Sequence, residues 1–198
     1  MPCIGAERAQ IVRAAADPSV EAAGKPSKVC TPRPMCIATC KSIWLEYLRN
    51  LPPSHVHHRI EPDTLAFGDS KKLADDWAEL VLAGEKTATA TLAMEFTSLN
   101  EPLPRTGDVC IIVRGDGNPV AIIERTDVKT SLFQSVDEAV AATEGEGDKS
   151  LAYWREAHAE YFTGVCNRLG GTFAASTPVL CQAFRLLWRV SSCRGPRT

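Results

Sequence analysis

The sequence has no run of eighteen uninterrupted apolar residues, which excludes a membrane-spanning helix of ordinary length. It has no excess of one charge. The 22 Lys and Arg against 24 Asp and Glu leave a net charge of −2, which argues against a bulk electrostatic grip on long nucleic acid. It has eight cysteines but no Cys-x-x-Cys pair. The opening Met1-Pro-Cys-Ile-Gly-Ala-Glu-Arg8 lacks the basic-then-apolar pattern of a secretory leader, and Glu7, Asp17 and Glu21 argue against a mitochondrial presequence. The thiols are therefore read as reduced and the compartment as cytoplasmic. No internal repeat is visible. What remains is a 198-residue chain, 44% hydrophobic and 23% charged, the balance of one soluble globular domain.

The average hides an asymmetry. Residues 1–60 hold 8 Lys and Arg against 4 Asp and Glu, whereas residues 61–198 hold 14 against 20. Residues 1–35 are rich in Ala, Pro, Ser and Lys and poor in large apolar side chains, so little burial offsets the entropy of ordering them. They are expected to form a mobile basic arm, followed by a folded domain over 36–198.

Within that domain Ile43, Trp44, Tyr47, Leu48 and Leu51 recur at helical spacing until Pro52-Pro53. A polar loop is expected through Asp63. An amphipathic helix follows, capped by Asp69 or Ser70, with Leu73, Trp77, Leu80 and Val81 as its buried stripe and Gly84 as its stop. From Lys86 to Leu92 the period drops to two, placing Thr87, Thr89 and Thr91 on one face of a strand. Val109–Val113 and Val120–Val128 read as a hairpin around Gly115-Asp-Gly-Asn118. Ser135–Ala142 is a short helix, and Ser150 caps another that carries Leu151, Trp154 and Phe162. Residues 163–177 read as loop, and 179–190 as a closing strand. These elements predict an α+β fold: a small, mostly antiparallel β-barrel with peripheral helices.

Gly84-Glu-Lys86-Thr-Ala-Thr89 after an amphipathic helix, Thr106-Gly-Asp108 before a strand, and Glu144-Gly-Glu146-Gly-Asp148-Lys-Ser150 before an aromatic helix together resemble the ASCH domain. That family belongs to the PUA-like superfamily, and the likeness runs from about Ile43 to Val190. It implies a barrel with a cleft and a link to RNA. Some members cleave single-stranded RNA. Shorter ones remove an acyl group from the exocyclic amine of a modified cytidine, through a Lys-x-x-Thr pair and a downstream Glu. Lys86 and Thr89 match the pair, and Glu146 is the first choice for the Glu, with Glu144 and Asp148 left open. The glycine-rich acidic loop is closest to the branch that cleaves RNA.

The chemistry of these residue types fits that assignment. A threonine hydroxyl is a poor nucleophile until a base takes its proton, and an amine can be that base. Glu146 could protonate a leaving amine or oxygen. On a straight strand positions 86 and 89 face opposite ways, so convergence demands a bend just after Gly84. The plainer reading is an exposed lysine at a helix end followed by strand threonines. Glu144, Ser150, Trp154 and Thr87 are the candidates for substrate binding. Trp154 could stack a base at a cleft edge, although its spacing from Leu151 also suits a core position. His158 is read as packing. No cofactor is required. Three carboxylates at Glu144, Glu146 and Asp148 could hold a divalent cation, but a solvated acidic turn is the simpler reading. Cys30, Cys36, Cys40, His55, His57 and His58 match no common zinc spacing.

Three functions follow: hydrolysis of single-stranded RNA, deacylation of N4-acetylcytidine-type nucleosides, or RNA or nucleotide binding without catalysis. The acidic body favours the small neutral substrate, whereas the loop favours RNA cleavage, which is the first expectation. Lys86→Ala is expected to abolish activity without unfolding the chain.

Overall fold

A computed structural model describes residues 39–190. The expected basic arm lies outside the described residues. Helix α1 (Cys40–Arg49) begins at a reciprocal cap between Thr39 and Ser42. A short strand β1 (Asp63–Leu65) follows. Helix α2 (Lys71–Ala83) starts where the Ser70 hydroxyl accepts from the Leu73 N–H, and ends at Gly84 in the left-handed region. Strand β2 (Ala88–Leu92) buries Ala88, Ala90 and Leu92 and turns Thr89 and Thr91 to the opposite face. Then come α3 (Ala93–Ser98), β3 (Val109–Val113), β4 (Pro119–Leu132), α4 (Glu138–Glu144), α5 (Leu151–Arg168) and β5 (Pro178–Arg189).

The five strands form one mixed sheet in the order β1-β3-β4-β5-β2, curled into a half-barrel. All pairings are antiparallel except β1 with β3. Two expectations are corrected here, and one helix is added. The loop expected through Asp63 ends in β1, which pairs parallel to β3. The β2 strand runs directly into α3, because the Glu95 carboxylate accepts from the Leu92 N–H and caps a helix that has no Ser or Asp at its start. Helix α5 continues to Arg168 instead of giving way to loop at 163.

Hydrophobic packing divides into three clusters. Val81 and Ala78 of α2 meet Cys110, Ile112, Ile123 and Phe184 on one face of the sheet. Trp44 and Tyr47 of α1 meet Val109, Ile111 and Ile122 on the other, as strand alternation requires. Helices α4 and α5 close the far end over Leu92, Phe133 and Val179. No helix among the described residues is long and apolar enough to cross a membrane.

One close approach fixes where the loop after α4 sits. Gly145 has φ +72°, and a Cβ there would run into the Glu85 carbonyl oxygen. Gly84 has φ +79° but open space around it. Both positions favour glycine by backbone conformation, but only Gly145 also requires the missing side chain. Gly145→Ala should therefore cost about 2 kcal/mol more than Gly84→Ala, read from paired urea unfolding curves. Equal losses would show that the approach is not tight.

Candidate active site

The bend demanded by the spacing of Lys86 and Thr89 is present. After Gly84 the chain folds back, and the N–H groups of Glu85 and Lys86 both donate to the Leu80 carbonyl, at 2.9 and 3.1 Å. The Thr87 N–H then donates to the Thr143 carbonyl at 2.9 Å, tying this segment to the end of α4. Strand β2 begins only at Ala88, so its two-residue alternation does not govern Lys86. The Lys86 side chain turns inward and is 1% exposed.

There the ammonium lies 2.5 Å from Glu146 Oε1 and 3.3 Å from Glu144 Oε2. The rings of Trp77 and Phe67 flank it, 5.2 and 5.3 Å away. Glu144 is the last residue of α4, where the helix dipole disfavours a carboxylate. Three groups compensate. Lys86 is one, the Trp154 Nε1–H donates to Oε1 at 2.6 Å, and His158 Nε2 lies 3.6 Å from the same oxygen. Burial alone would raise the Glu144 pKa, but these charges and hydrogen bonds hold it down at about 2. His158 Nδ1 faces the Trp154 carbonyl at 3.0 Å, which can only accept, so Nδ1 carries the proton. With Lys86 charged and both carboxylates ionised, the buried group carries −1.

Above this group lies a cleft of about 590 Å³, the size of a small-molecule site. Phe67, Trp77, Phe96, Tyr153 and Tyr161 supply aromatic walls. Glu144, Glu146 and Thr89 reach it, whereas Lys86 stands behind its two carboxylates. The Thr89 hydroxyl has no hydrogen-bond partner among the described residues. Across the cleft Glu95 accepts from the Tyr161 hydroxyl at 3.0 Å, and burial raises the Glu95 pKa.

The structure brings together Lys86, Glu144, Glu146 and, through the cleft, Thr89. It does not bring the other candidates in. Thr87 is exposed, and its hydroxyl donates to the Thr143 carbonyl. Ser150 caps α5 by accepting from the Tyr153 N–H. Trp154 is 2% exposed, and it stacks on Phe133 and His158 within the core. It is a partner of Glu144 rather than a wall of the cleft. Asp148 turns to the Ser150 N–H, so the three loop carboxylates do not converge. Among the described residues no group of three or more His, Cys, Asp or Glu could hold a metal ion. His57 is buried and bonded to the Tyr47 hydroxyl at 2.8 Å. Among the polar cleft residues, Arg125, Gln182, Glu95, Glu160 and Arg168 escaped the sequence reading. A signal existed for Gln182, a polar residue set inside the apolar run 179–184.

The ASCH domain family model matches residues 63–188. The chain belongs to the ASCH domain family. Two solved structures support this ASCH assignment. One is an ASCH domain from Lactobacillus crispatus JV V101, 33% identical, with a TM-score of 0.68 over 73% of this chain and 92% of that one. The other is a protein from Enterococcus faecalis V583, 30% identical, with a TM-score of 0.64 over 74% of this chain and 86% of that one. No curated protein matches the chain.

Burial of Lys86 changes what its removal should do. The sequence led to Lys86→Ala as a variant that still folds. In this ASCH domain, removal strands two buried carboxylates without their counter-charge, at about 3–5 kcal/mol. Lys86→Met should be strongly destabilised in thermal and urea unfolding. Adding Glu144→Gln and Glu146→Gln should recover most of the loss, and no recovery would refute the pairing.

The Glu144 carboxyl gives a second test. Its folded value of about 2 lies below the ordinary 4.5, so its stabilisation is complete above pH 4.5 and is lost as pH falls toward 2. Unfolding free energy measured across that window should fall less steeply in Glu144→Gln than in the native protein.

Proposed function

We propose that this ASCH domain is an amidohydrolase that removes an acyl group from the exocyclic amine of a cytidine-type nucleoside. The observation that carries this reading is the cleft: nucleoside-sized, aromatic-walled, and lined both by an unpartnered threonine hydroxyl and by the carboxylates of a buried lysine–carboxylate group. Its charged lining also favours a neutral substrate. Asp69, Glu95, Glu144, Glu146 and Glu160 outnumber Arg125 and Arg168. A phosphodiester would meet like charge there, which weighs against cleavage of single-stranded RNA, although the family's link to RNA fits a nucleoside released from it.

In this reading the base stacks between aromatic walls and its amide carbon lies against Thr89. The Thr89 Oγ attacks that carbon as the Lys86–Glu146 pair accepts the hydroxyl proton. The C–N bond breaks, and the pair returns the proton to the departing amine. Water then hydrolyses the Thr89 ester, releasing the carboxylic acid and restoring the hydroxyl. Glu146 is the member of the pair that reaches the cleft, so it passes the proton, and Lys86 holds it in place. Glu144 and His158 fix the lysine from the other side.

The test is chromatographic assay of N4-acetylcytidine beside a labelled unstructured RNA. The native protein should convert the nucleoside to cytidine and acetate and leave the RNA intact. Thr89→Val, close in shape, should lose about 10²–10⁴-fold in rate while keeping its thermal midpoint within a few degrees. RNA breakdown without deacylation would replace this reading with the nuclease one. Binding without turnover of either substrate would leave a recognition module.

A further inference from the structure

Behind Thr91, on the same face of β2 as Thr89, runs a short chain of buried polar groups. Arg125 lies at an irregularity where β4 slips its register against β5, and is 8% exposed. Its Nε–H donates to Gln182 Oε1 at 2.8 Å. Gln182 is 1% exposed, and its Nε2–H donates to Thr91 Oγ1 at 2.7 Å. All three residues line the cleft.

The direction of this chain is chemically fixed. A guanidinium only donates, so the oxygen of the Gln182 amide must face Arg125 and its nitrogen must face Thr91. Thr91 Oγ1 therefore spends one lone pair on Gln182. Its own proton has no acceptor among the described residues and is left to the cleft. A ligand acceptor placed there satisfies it, whereas a ligand donor forces the hydroxyl to rotate and leaves that proton unpaired.

The spacing says which acceptor. Thr89 and Thr91 are two residues apart on one strand, about 7 Å along it. Two hydroxyls so placed can reach opposite ends of one pyrimidine ring, an acyl carbon on the 4-amino group and the carbonyl at position 2. Resting on the deacylase reading, we propose that Thr91, aligned by Gln182 and Arg125, is a specificity-determining donor to the ring carbonyl of the substrate base.

Equilibrium binding tests this without turnover. The ligands are cytosine and 4-aminopyrimidine, which lacks the ring carbonyl and with it the N1–H, titrated by calorimetry into the native protein, Thr91→Val and Gln182→Glu. Native protein should bind cytosine about tenfold more tightly than 4-aminopyrimidine. Thr91→Val should erase that preference. Gln182→Glu keeps an acceptor for Arg125 but also accepts the Thr91 proton, so it should erase the preference with the hydroxyl still present. Thermal midpoints check that both variants fold. A preference that survives in Gln182→Glu, or a native protein with no preference or no cytosine binding, overturns the proposal. Deacylation measured separately distinguishes the cases: turnover without the preference removes this role and keeps the function, whereas the preference without turnover keeps the recognition and removes the catalysis.

Discussion

A lysine ammonium sealed beneath two carboxylates is the constraint on which this ASCH domain depends. Each buried charge costs several kcal/mol of lost hydration, and only close, well-directed partners offset it. The local features around Lys86 serve that requirement. Gly84 turns the chain back onto α2, the Thr87–Thr143 backbone bond pins the segment to α4, and Gly145 lets the acidic loop approach Glu85. The site is thus held by backbone contacts between parts of the chain about sixty residues apart. Lys86 and Glu146 then need no rearrangement to meet.

The sheet separates two tasks. Its concave side and the flanking helices α2 and α5 shape the cleft, where polar groups sit among aromatic rings. Strands β2 and β5 contribute Thr89, Thr91 and Gln182 from positions that alternate with the core residues Ala88, Ala90 and Leu92. The cleft and the core therefore share the same strands, and the period of two divides them.

Much of this was legible in the residues. Ser70 and Gly84 bracket α2 because each has one strongly favoured role at a helix end. Lys86 and Thr89 were legible because their spacing, set after a helix stop, resembles a family pattern. Other parts were not. Strand β1 has three residues, too few for alternation to register. Helix α3 draws its cap from Glu95, inside the helix, so no residue before it announces a start. Glu144 and Glu146 could not be separated by sequence because both carboxylates pair with the Lys86 ammonium. The helix end at Gly145 and the turn at Gly147 aim the two carboxylates at one ammonium. Trp154 was readable as a base platform or a core residue, and its indole N–H joins the core role to the site through Glu144.

Helix α1 stands apart from all of this. Its Ile43, Trp44 and Tyr47 roof the sheet on the side away from Lys86, yet it lies before residue 63, where the family match begins. The ASCH boundary by sequence is therefore not the boundary by solvation. A polypeptide trimmed to the matched span would bare Val109, Ile111, Val113 and Ile122 to water, an oily strip that invites self-association. Helix α1 thus carries a solubility role for a sheet whose cleft faces the other way.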